Sequence, residues 1–228
     1  MDSPFTLIID FDSTIISVET LEYLAEFSLS RNPNKDELLN QISNYTNLAM
    51  NGEISFQDSL KLRFSLMKIN YSDIENVSNF LSSKIDRSFI ENINFFKKNI
   101  DNIYIVSGGF YSIINSVLHS ISDIKWNIHA NSLLFNNQNQ VKGIDVKNPL
   151  SFSGGKVEIV KSMNLDNDVI VIGDGYTDYE IKKSNIAKYF LAYTGHAKRD
   201  NVIKDADFIC KDFYEVINFL NNKYTNLF

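Results

Sequence analysis

The stretch LIIDFDSTII, residues 7–16, closes an apolar run with two carboxylates, Asp10 and Asp12, set two positions apart. Burying either one unpaired costs several kcal/mol, so a cation must accompany them or one must hold a proton. The same pattern of an apolar run ended by polar residues recurs twice. Ser107 with Gly108 and Gly109 follows IYIV, and Asp174 and Asp178 follow VIVIG. If these runs are neighbouring strands of a parallel sheet, the polar groups meet at its carboxyl edge, where ligands bind. Such a set of oxygen atoms suits Mg2+, which takes carboxylates, water and phosphate oxygens. The glycine pair lets backbone N–H groups approach an oxyanion, and FYSIINSVLHS reads as a helix whose N-terminus favours negative charge. Lys156, in SGGKVEIV, is expected at the start of another helix, where its ammonium can balance a phosphate. A nucleotide P-loop is excluded, because G-x-x-x-x-G-K-[ST] is absent.

The elements that must carry these residues are legible as short runs: FTLIID (5–10), IYIVSGG (103–109), DVIVIGDG (168–175), YFLAYT (189–194) and DFIC (207–210). The first three lack polar alternation, as strands covered on both faces do. Helical spacing fills the intervals, for example Phe89, Ile93, Phe96 and Ile100. The expectation is an α/β fold with a Rossmann-like, doubly wound parallel sheet. About 90 residues separate the first two runs, far more than one crossover helix needs. Within them VETLEYLAEFSL, KDELLNQISNYTNLAM, SFQDSLKLRFSLMK and YSDIENVSNFLSSK read as helices, with Asn34 and Ser55 as N-caps and Asp58 completing an acidic capping box. A small helical domain over residues 17–83 is therefore expected, inserted into a core of residues 1–16 and 84–228. NSLLFNNQNQVKGIDV, with turn formers between apolar runs, is expected to make a hairpin.

Composition narrows the class. Of 228 residues, 44% are hydrophobic and 22% charged, ordinary values for an ordered globular chain. A net charge of −6 without a basic stripe argues against nucleic-acid binding. The lone Cys210 excludes an intramolecular disulfide and is expected to be packing material. MDSPFTLIID has no basic residues before its apolar run, and no apolar stretch approaches the roughly 20 residues that span a bilayer, so a cytoplasmic location off the membrane is expected. His119, His129 and His196 lack metal-ligand spacing, and no obligate protein partner is evident.

Taken in order, D-x-D-S-T (Asp10 to Thr14), I-V-S-G-G (Ile105 to Gly109), Lys156 and G-D-G-x-x-D (Gly173 to Asp178) resemble the four motifs of the haloacid dehalogenase superfamily of phosphatases. The match spans most of the chain. Within that superfamily the sequence is similar to phosphoserine phosphatases, through Glu19 after the first motif and through MNGEISFQDSLKLRFSL, which carries Met50, Phe56 and Arg63 at matching positions. The resemblance implies a Mg2+-dependent phosphomonoesterase of serine biosynthesis acting on a small phosphorylated metabolite. Asp10 would be the nucleophile and form an aspartyl-phosphate. Asp12 would exchange protons with the leaving group and water, and it would share Asp10's strand face if the strand continues. Mg2+ would lie on Asp10, the Asp12 backbone carbonyl and Asp174, with Asp178 holding Lys156 or a metal-bound water. Ser107, Gly108 and Lys156 would hold the phosphate. Glu19 would meet the substrate ammonium and Arg63 its carboxylate, while Met50 and Phe56 help to close a cap. Thr177 stands where the family often has Asn and also has Thr, and it keeps the hydrogen-bonding capacity of that position.

Two other readings fit parts of the pattern. A phosphatase for another small metabolite, such as a phosphosugar or a phosphorylated amino alcohol, keeps the fold and differs at Arg63. A non-enzymatic Mg2+-dependent phosphoacceptor module like a receiver domain uses similar groups. Such a module has about half this length and lacks a helical insertion, and Asp12 supplies a dephosphorylation catalyst that a signalling module avoids.

Overall fold

The computed structural model describes residues 4–224, so the first three and last four residues of the expected core segments lie outside it. In chain order, β1 (Phe5–Ile9) leads through a wide turn at Phe11–Ile15 to four helices: α1 (Thr20–Ser28), α2 (Lys35–Met50), α3 (Phe56–Ser65) and α4 (Tyr71–Ser82). Short helices α5 (Arg87–Glu91) and α6 (Ile93–Lys98) bring the chain back to β2 (Ile103–Phe110), then α7 (Tyr111–His119), β3 (Asn127–Asn131) and the pair β4 (Leu133–Phe135) and β5 (Val141–Ile144). The remainder alternates: α8 (Gly155–Ser162), β6 (Asp168–Gly173), α9 (Tyr176–Lys183), β7 (Tyr189–Tyr193), α10 (Asp200–Ile203), β8 (Phe208–Cys210) and α11 (Phe213–Lys223).

Six parallel strands form one sheet in the order β3-β2-β1-β6-β7-β8. The order reverses at β1, whose neighbours are β2 and β6, and this makes a switch point of the kind that opens a ligand crevice. Both faces of the sheet are covered. Leu7, Ile9, Ile105 and Ile172 belong to one apolar cluster, while Ile8, Val106, Val171 and Phe190 join Val160 of α8 and Ile181 of α9 in another. That double burial explains why the first three runs carry no polar alternation.

All five runs read as strands are strands, and NSLLFNNQNQVKGIDV forms the antiparallel β4–β5 hairpin. β3 escapes the sequence reading because Asn127 and His129 interrupt an edge strand that is only partly buried. The spacing Phe89, Ile93, Phe96, Ile100 does not describe one helix. The chain breaks at Asn92, which stands between α5 and α6 and donates from Nδ2 to the Ser88 carbonyl at 2.8 Å. The aromatic residues satisfy the period through packing instead, with the Phe89 and Phe96 rings stacked at 4.3 Å. Ser55 caps α3 by accepting from the Asp58 N–H at 3.0 Å, whereas Asn34 makes no side-chain cap on α2.

Helices α1–α4 depart from and rejoin the sheet through one short junction. Ile16 and Ile85 form an antiparallel bridge, the Ser17 N–H donates to the Lys84 carbonyl at 2.9 Å, and the Asp86 N–H to Ile15 at 2.8 Å. Their apolar residues, among them Leu24, Ile42, Leu60, Val77 and Leu81, share one cluster with Ile113 and Val117 of α7 and with the sheet. Cys210 is fully buried.

Asp86 secures that junction. Its Oδ1 caps α5, accepting from the Phe89 N–H at 3.1 Å and from the Ser88 hydroxyl. Its Oδ2 accepts from the Tyr193 hydroxyl at 2.8 Å and lies 3.0 Å from His196 Nε2. Burial favours the neutral acid, but the bonds from His196, Ser88 and Tyr193 outweigh it and hold the carboxyl down at about 2. This folded value lies below the ordinary carboxylate value of about 3.9, so the stabilisation is complete above about pH 4 and fades as pH falls towards 2. Asp86→Ala is expected to cost about 1–3 kcal/mol at neutral pH, through the lost cap and a stranded Tyr193 hydroxyl. Urea unfolding at pH 7 and pH 3 should show the gap between wild type and variant narrowing at the lower pH.

Candidate active site

β1 ends at Ile9, and the Asp10 N–H still donates across to the Ile172 carbonyl of β6 at 2.9 Å, which fixes the first carboxylate at the sheet's carboxyl edge. Asp10 Oδ1 accepts from the Phe11 N–H at 2.8 Å. The strand does not continue, so the expected shared strand face of Asp10 and Asp12 is corrected. The chain turns through Asp12 (φ −67°, ψ 139°) and Ser13 in the left-handed region (φ 51°), and this turn brings Asp12 to the pocket. Asp12 Oδ1 accepts from the Thr20 N–H at 3.1 Å and from the Thr20 hydroxyl. Its Oδ2 lies towards Gly109, 3.6 Å from where a Cβ would stand on that glycine.

Lys156 is the second residue of α8, as read from the sequence. The preceding glycines set its position. Gly154 is left-handed (φ 76°), and a Cβ on Gly155 would lie 2.0 Å from the Pro149 carbonyl oxygen, so only glycine allows α8 to start so close to that turn. The buried Lys156 ammonium bridges Asp10 Oδ1 at 2.8 Å and Asp178 Oδ1 at 2.7 Å. Burial alone would lower its proton affinity, but the two carboxylates together raise it above the ordinary lysine value. Asp178 also accepts the Gly175 N–H on Oδ2 at 3.2 Å, and burial with the nearby Asp10 charge lifts its pKa to about 7 against the pull of Lys156.

Asp174, one residue past β6, is buried with its two oxygens in different situations. Oδ2 is held by Arg199 Nε at 2.9 Å, while Oδ1 is enclosed without a hydrogen-bond partner. One oxygen each of Asp10, Asp174 and Asp178 lie within 4.8 Å of one another. The Asp12 carboxylate is engaged by Thr20 instead of joining this trio, which leaves its expected metal contact to the backbone carbonyl alone. Burial first, and then the charge of Glu19, raises both Asp12 and Asp174 well above the usual carboxylate range. Asp10, Asp12, Glu19, Asp174 and Asp178 face Lys156, Arg63 and Arg199, so full ionisation leaves two negative charges unbalanced around an orphaned oxygen. That balance fits a divalent cation bound by hard oxygen ligands.

The residues expected to cradle phosphate lie at the end of β2. Buried Ser107 accepts the Gly109 N–H on Oγ at 3.0 Å, and Asn131 Nδ2 ties the Gly108 carbonyl to that of Leu150 at 2.9 and 3.0 Å. Above them a small cavity is lined by Asp10, Asp12, Glu19, Met50, Phe56, Arg63, Ser107, Gly108, Lys156 and Thr177, so the sequence-selected residues except Asp174 and Asp178 all reach it. Phe56 lies against Gly108, where a Cβ would stand 2.5 Å from its ring. Glu19 accepts from the Ser13 hydroxyl at 2.7 Å and lies 3.6 Å from Arg199 Nη2. Its pKa is raised by burial, with Ser13 opposing. Arg63 is buried and donates to the Ser59 carbonyl and the Thr46 hydroxyl at 3.3 and 3.2 Å, yet forms no ion pair among the described residues. Burial lowers its proton affinity, although it remains a cation.

Arg199, Thr20 and Asn131 were not legible as site residues. Arg199 stands in the polar segment HAKRDN, Thr20 at the start of α1, and Asn131 at the end of the unread strand β3. Arg199 and Asn131 act through partners distant in sequence and Thr20 through the turn that follows Asp12, and nothing in their local pattern differs from an exposed polar residue.

No protein-family profile matches the chain. A chloroplastic phosphoserine phosphatase of Arabidopsis thaliana is 32% identical over 215 residues, spanning 93% of this chain and 70% of that protein. The human phosphoserine phosphatase is 26% identical over 214 residues, covering 92% of this chain and 91% of its own. Among solved structures, a phosphoserine phosphohydrolase-like protein from Francisella tularensis superposes with a TM-score of 0.83 at 30% identity, covering 94% of this chain and 99% of that one. With the same motifs gathered at one sheet edge, the chain belongs to the phosphoserine phosphatase family of the haloacid dehalogenase superfamily, a family of enzymes that hydrolyse phosphate monoesters.

Proposed function

We propose that the protein hydrolyses O-phospho-L-serine to serine and phosphate, using Asp10 as nucleophile and Mg2+ as its metal. The observation that carries the substrate reading is Arg63, a buried guanidinium without an ion-pair partner among the described residues, in the same cavity as Glu19, Asp10 and Lys156. A buried cation left unpaired is costly, and a substrate carboxylate supplies the bidentate partner that the guanidinium lacks. Glu19 offers the complementary anion for an ammonium. Residues 17–83 act as a cap over a core of residues 1–16 and 84–228, with Met50, Phe56 and Thr177 closing the cavity's rim.

In this reading the Asp10 carboxylate attacks phosphorus in line, the phosphorus–oxygen bond to serine breaks, and an aspartyl-phosphate forms. Asp12 gives its proton to the departing serine oxygen. Its Oδ1 is already occupied by two donors from Thr20, so the proton belongs on Oδ2, beside Gly109. Asp12 then takes a proton from the water that attacks the phosphorylated Asp10, which releases phosphate and restores both carboxyl groups. Ser107, Gly108 and Lys156 hold the non-bridging oxygens, with Asp178 keeping the ammonium aimed. The metal is assigned to Asp10, Asp174 and the Asp12 backbone carbonyl, and the partnerless Asp174 Oδ1 supports that choice. Bound there, Mg2+ would screen the nucleophile from the phosphate and draw charge from it.

The closest competing reading is a phosphatase for another small phosphorylated metabolite. Phosphate release from a panel containing O-phospho-L-serine and O-phosphoethanolamine, with Mg2+ and with chelator, separates them. Asp10→Asn should reduce release to background on every substrate. Arg63→Ala should raise KM for phosphoserine about 10- to 100-fold and spare phosphoethanolamine, which has no carboxylate. Equal effects on both substrates would refute the role given to Arg63. Because Asp12 must begin protonated, kcat/KM for phosphoserine should fall as pH rises through its elevated pKa. Asp12→Asn should remove that limb and slow p-nitrophenyl phosphate less than phosphoserine, since nitrophenolate leaves without a proton. Retention of the limb in the variant would move the proton donor elsewhere.

A further inference from the structure

The end of α2 meets the rim of the sheet domain beside the start of α9. Gly52 is left-handed (φ 77°), its N–H donates to the Ala49 carbonyl at 2.9 Å, and the Glu53 N–H donates to the Leu48 carbonyl at 2.8 Å. This pair of bonds is a Schellman motif, which satisfies two terminal carbonyls of the helix and leaves others to find partners outside it. The Asn51 carbonyl finds its partner in the other layer, accepting from Asn201 Nδ2 at 3.0 Å. Asn201 is itself fixed in α10 beside the fully buried Val202.

Two further contacts align with that bond. Met50, the last residue of α2, places Sδ 3.1 Å from where a Cβ would stand on Gly175. Gly52 lies over the ring of Tyr176, with ring carbons 3.7 Å from its own Cβ position. A Cβ there would meet the ring at ordinary contact distance, so it is the left-handed φ that calls for glycine at this position. Tyr176 is supported from below by Tyr179, at 5.9 Å between ring centroids, and by Lys183, whose ammonium lies 3.4 Å from the Tyr176 hydroxyl. Tyr176 opens α9 and is followed by Thr177, which lines the cavity. The carbonyl end of α2 thus meets the N–H end of α9, an arrangement in which the two helix dipoles attract.

We propose that Tyr176 and Asn201 are positioning residues that form a latch for the end of α2 and set how much of the protein holds its helical layer closed over the cavity. The latch touches no reacting atom. It acts by seating Met50, and through the α2–α3 connection Phe56, on the rim of the site. The inference rests on the reading of residues 17–83 as a cap, and its first measurement needs no substrate.

Amide hydrogen exchange of residues 51–54 in the substrate-free protein should be about threefold to tenfold faster in Asn201→Ala and in Tyr176→Ala, as expected for loss of one solvent-accessible hydrogen bond or ring contact. Tyr176→Phe keeps the ring and should exchange as wild type. In phosphate-release assays the two alanine variants should raise KM by a similar factor with kcat unchanged or increased, because an opened cap binds substrate less well and releases product faster. Unchanged exchange over residues 51–54 in both alanine variants would overturn the latch. So would a fall in kcat at unchanged KM, which would assign Tyr176 or Asn201 to the chemistry. If phosphoserine is not turned over at all, the exchange result still decides the latch, and only the substrate reading fails.

Discussion

One ammonium between two carboxylates organises this protein. Lys156 lies 2.8 Å from Asp10 and 2.7 Å from Asp178, and all three groups are buried. Removing Lys156 would leave two buried carboxylates uncompensated, which is far more costly than removing one partner of an exposed pair. The three residues come from β1's end, the start of α8 and the first turn of α9, so their meeting requires the sheet order to place β1 beside β6 and α8 to start close against Pro149. The charge cluster and the topology therefore constrain each other.

The same electrostatic reasoning extends outward. Three more carboxyl groups, Asp12, Glu19 and Asp174, surround the bridge, and their elevated proton affinities express how poorly the closed pocket solvates negative charge. Arg199 relieves part of this by holding Asp174 Oδ2 and approaching Glu19. Two groups stay incompletely engaged: the enclosed Asp174 Oδ1, which has no hydrogen-bond partner, and Arg63, which forms no ion pair among the described residues. In the proposed function, a metal ion answers the first and an amino-acid carboxylate the second. The site is held together by the rest of the fold, whose apolar cluster runs from the sheet through α7 into α1–α4.

Closure is built from small residues. Gly108 admits the Phe56 ring and Gly175 admits Met50. These glycines allow two layers to approach at van der Waals distance around a polar cavity, which favours exclusion of water during transfer of a phosphoryl group. The chain crosses between the layers at the Ile16–Ile85 junction secured by Asp86.

The sequence alone determined the doubly covered parallel sheet, the hairpin, the four long helices between β1 and β2, and most of the polar residues that line the cavity. These follow from patterns local to the chain: unalternated apolar runs, helical spacing, and polar residues at the ends of strands. Tertiary structure decided what depends on distant partners. The turn at Asp12 and Ser13 replaced an assumed strand because Thr20 captures the Asp12 carboxylate. Asn92 divided an apparent helix because Phe89 and Phe96 found each other by stacking. Arg199 entered the site because its loop follows β7, one strand beyond Asp174's β6, and Asn201 came to hold the end of α2 through the carbonyl of Asn51. A lone polar residue carries no period or motif, and its role is fixed only when folding brings an opposite charge or an unpaired carbonyl to it.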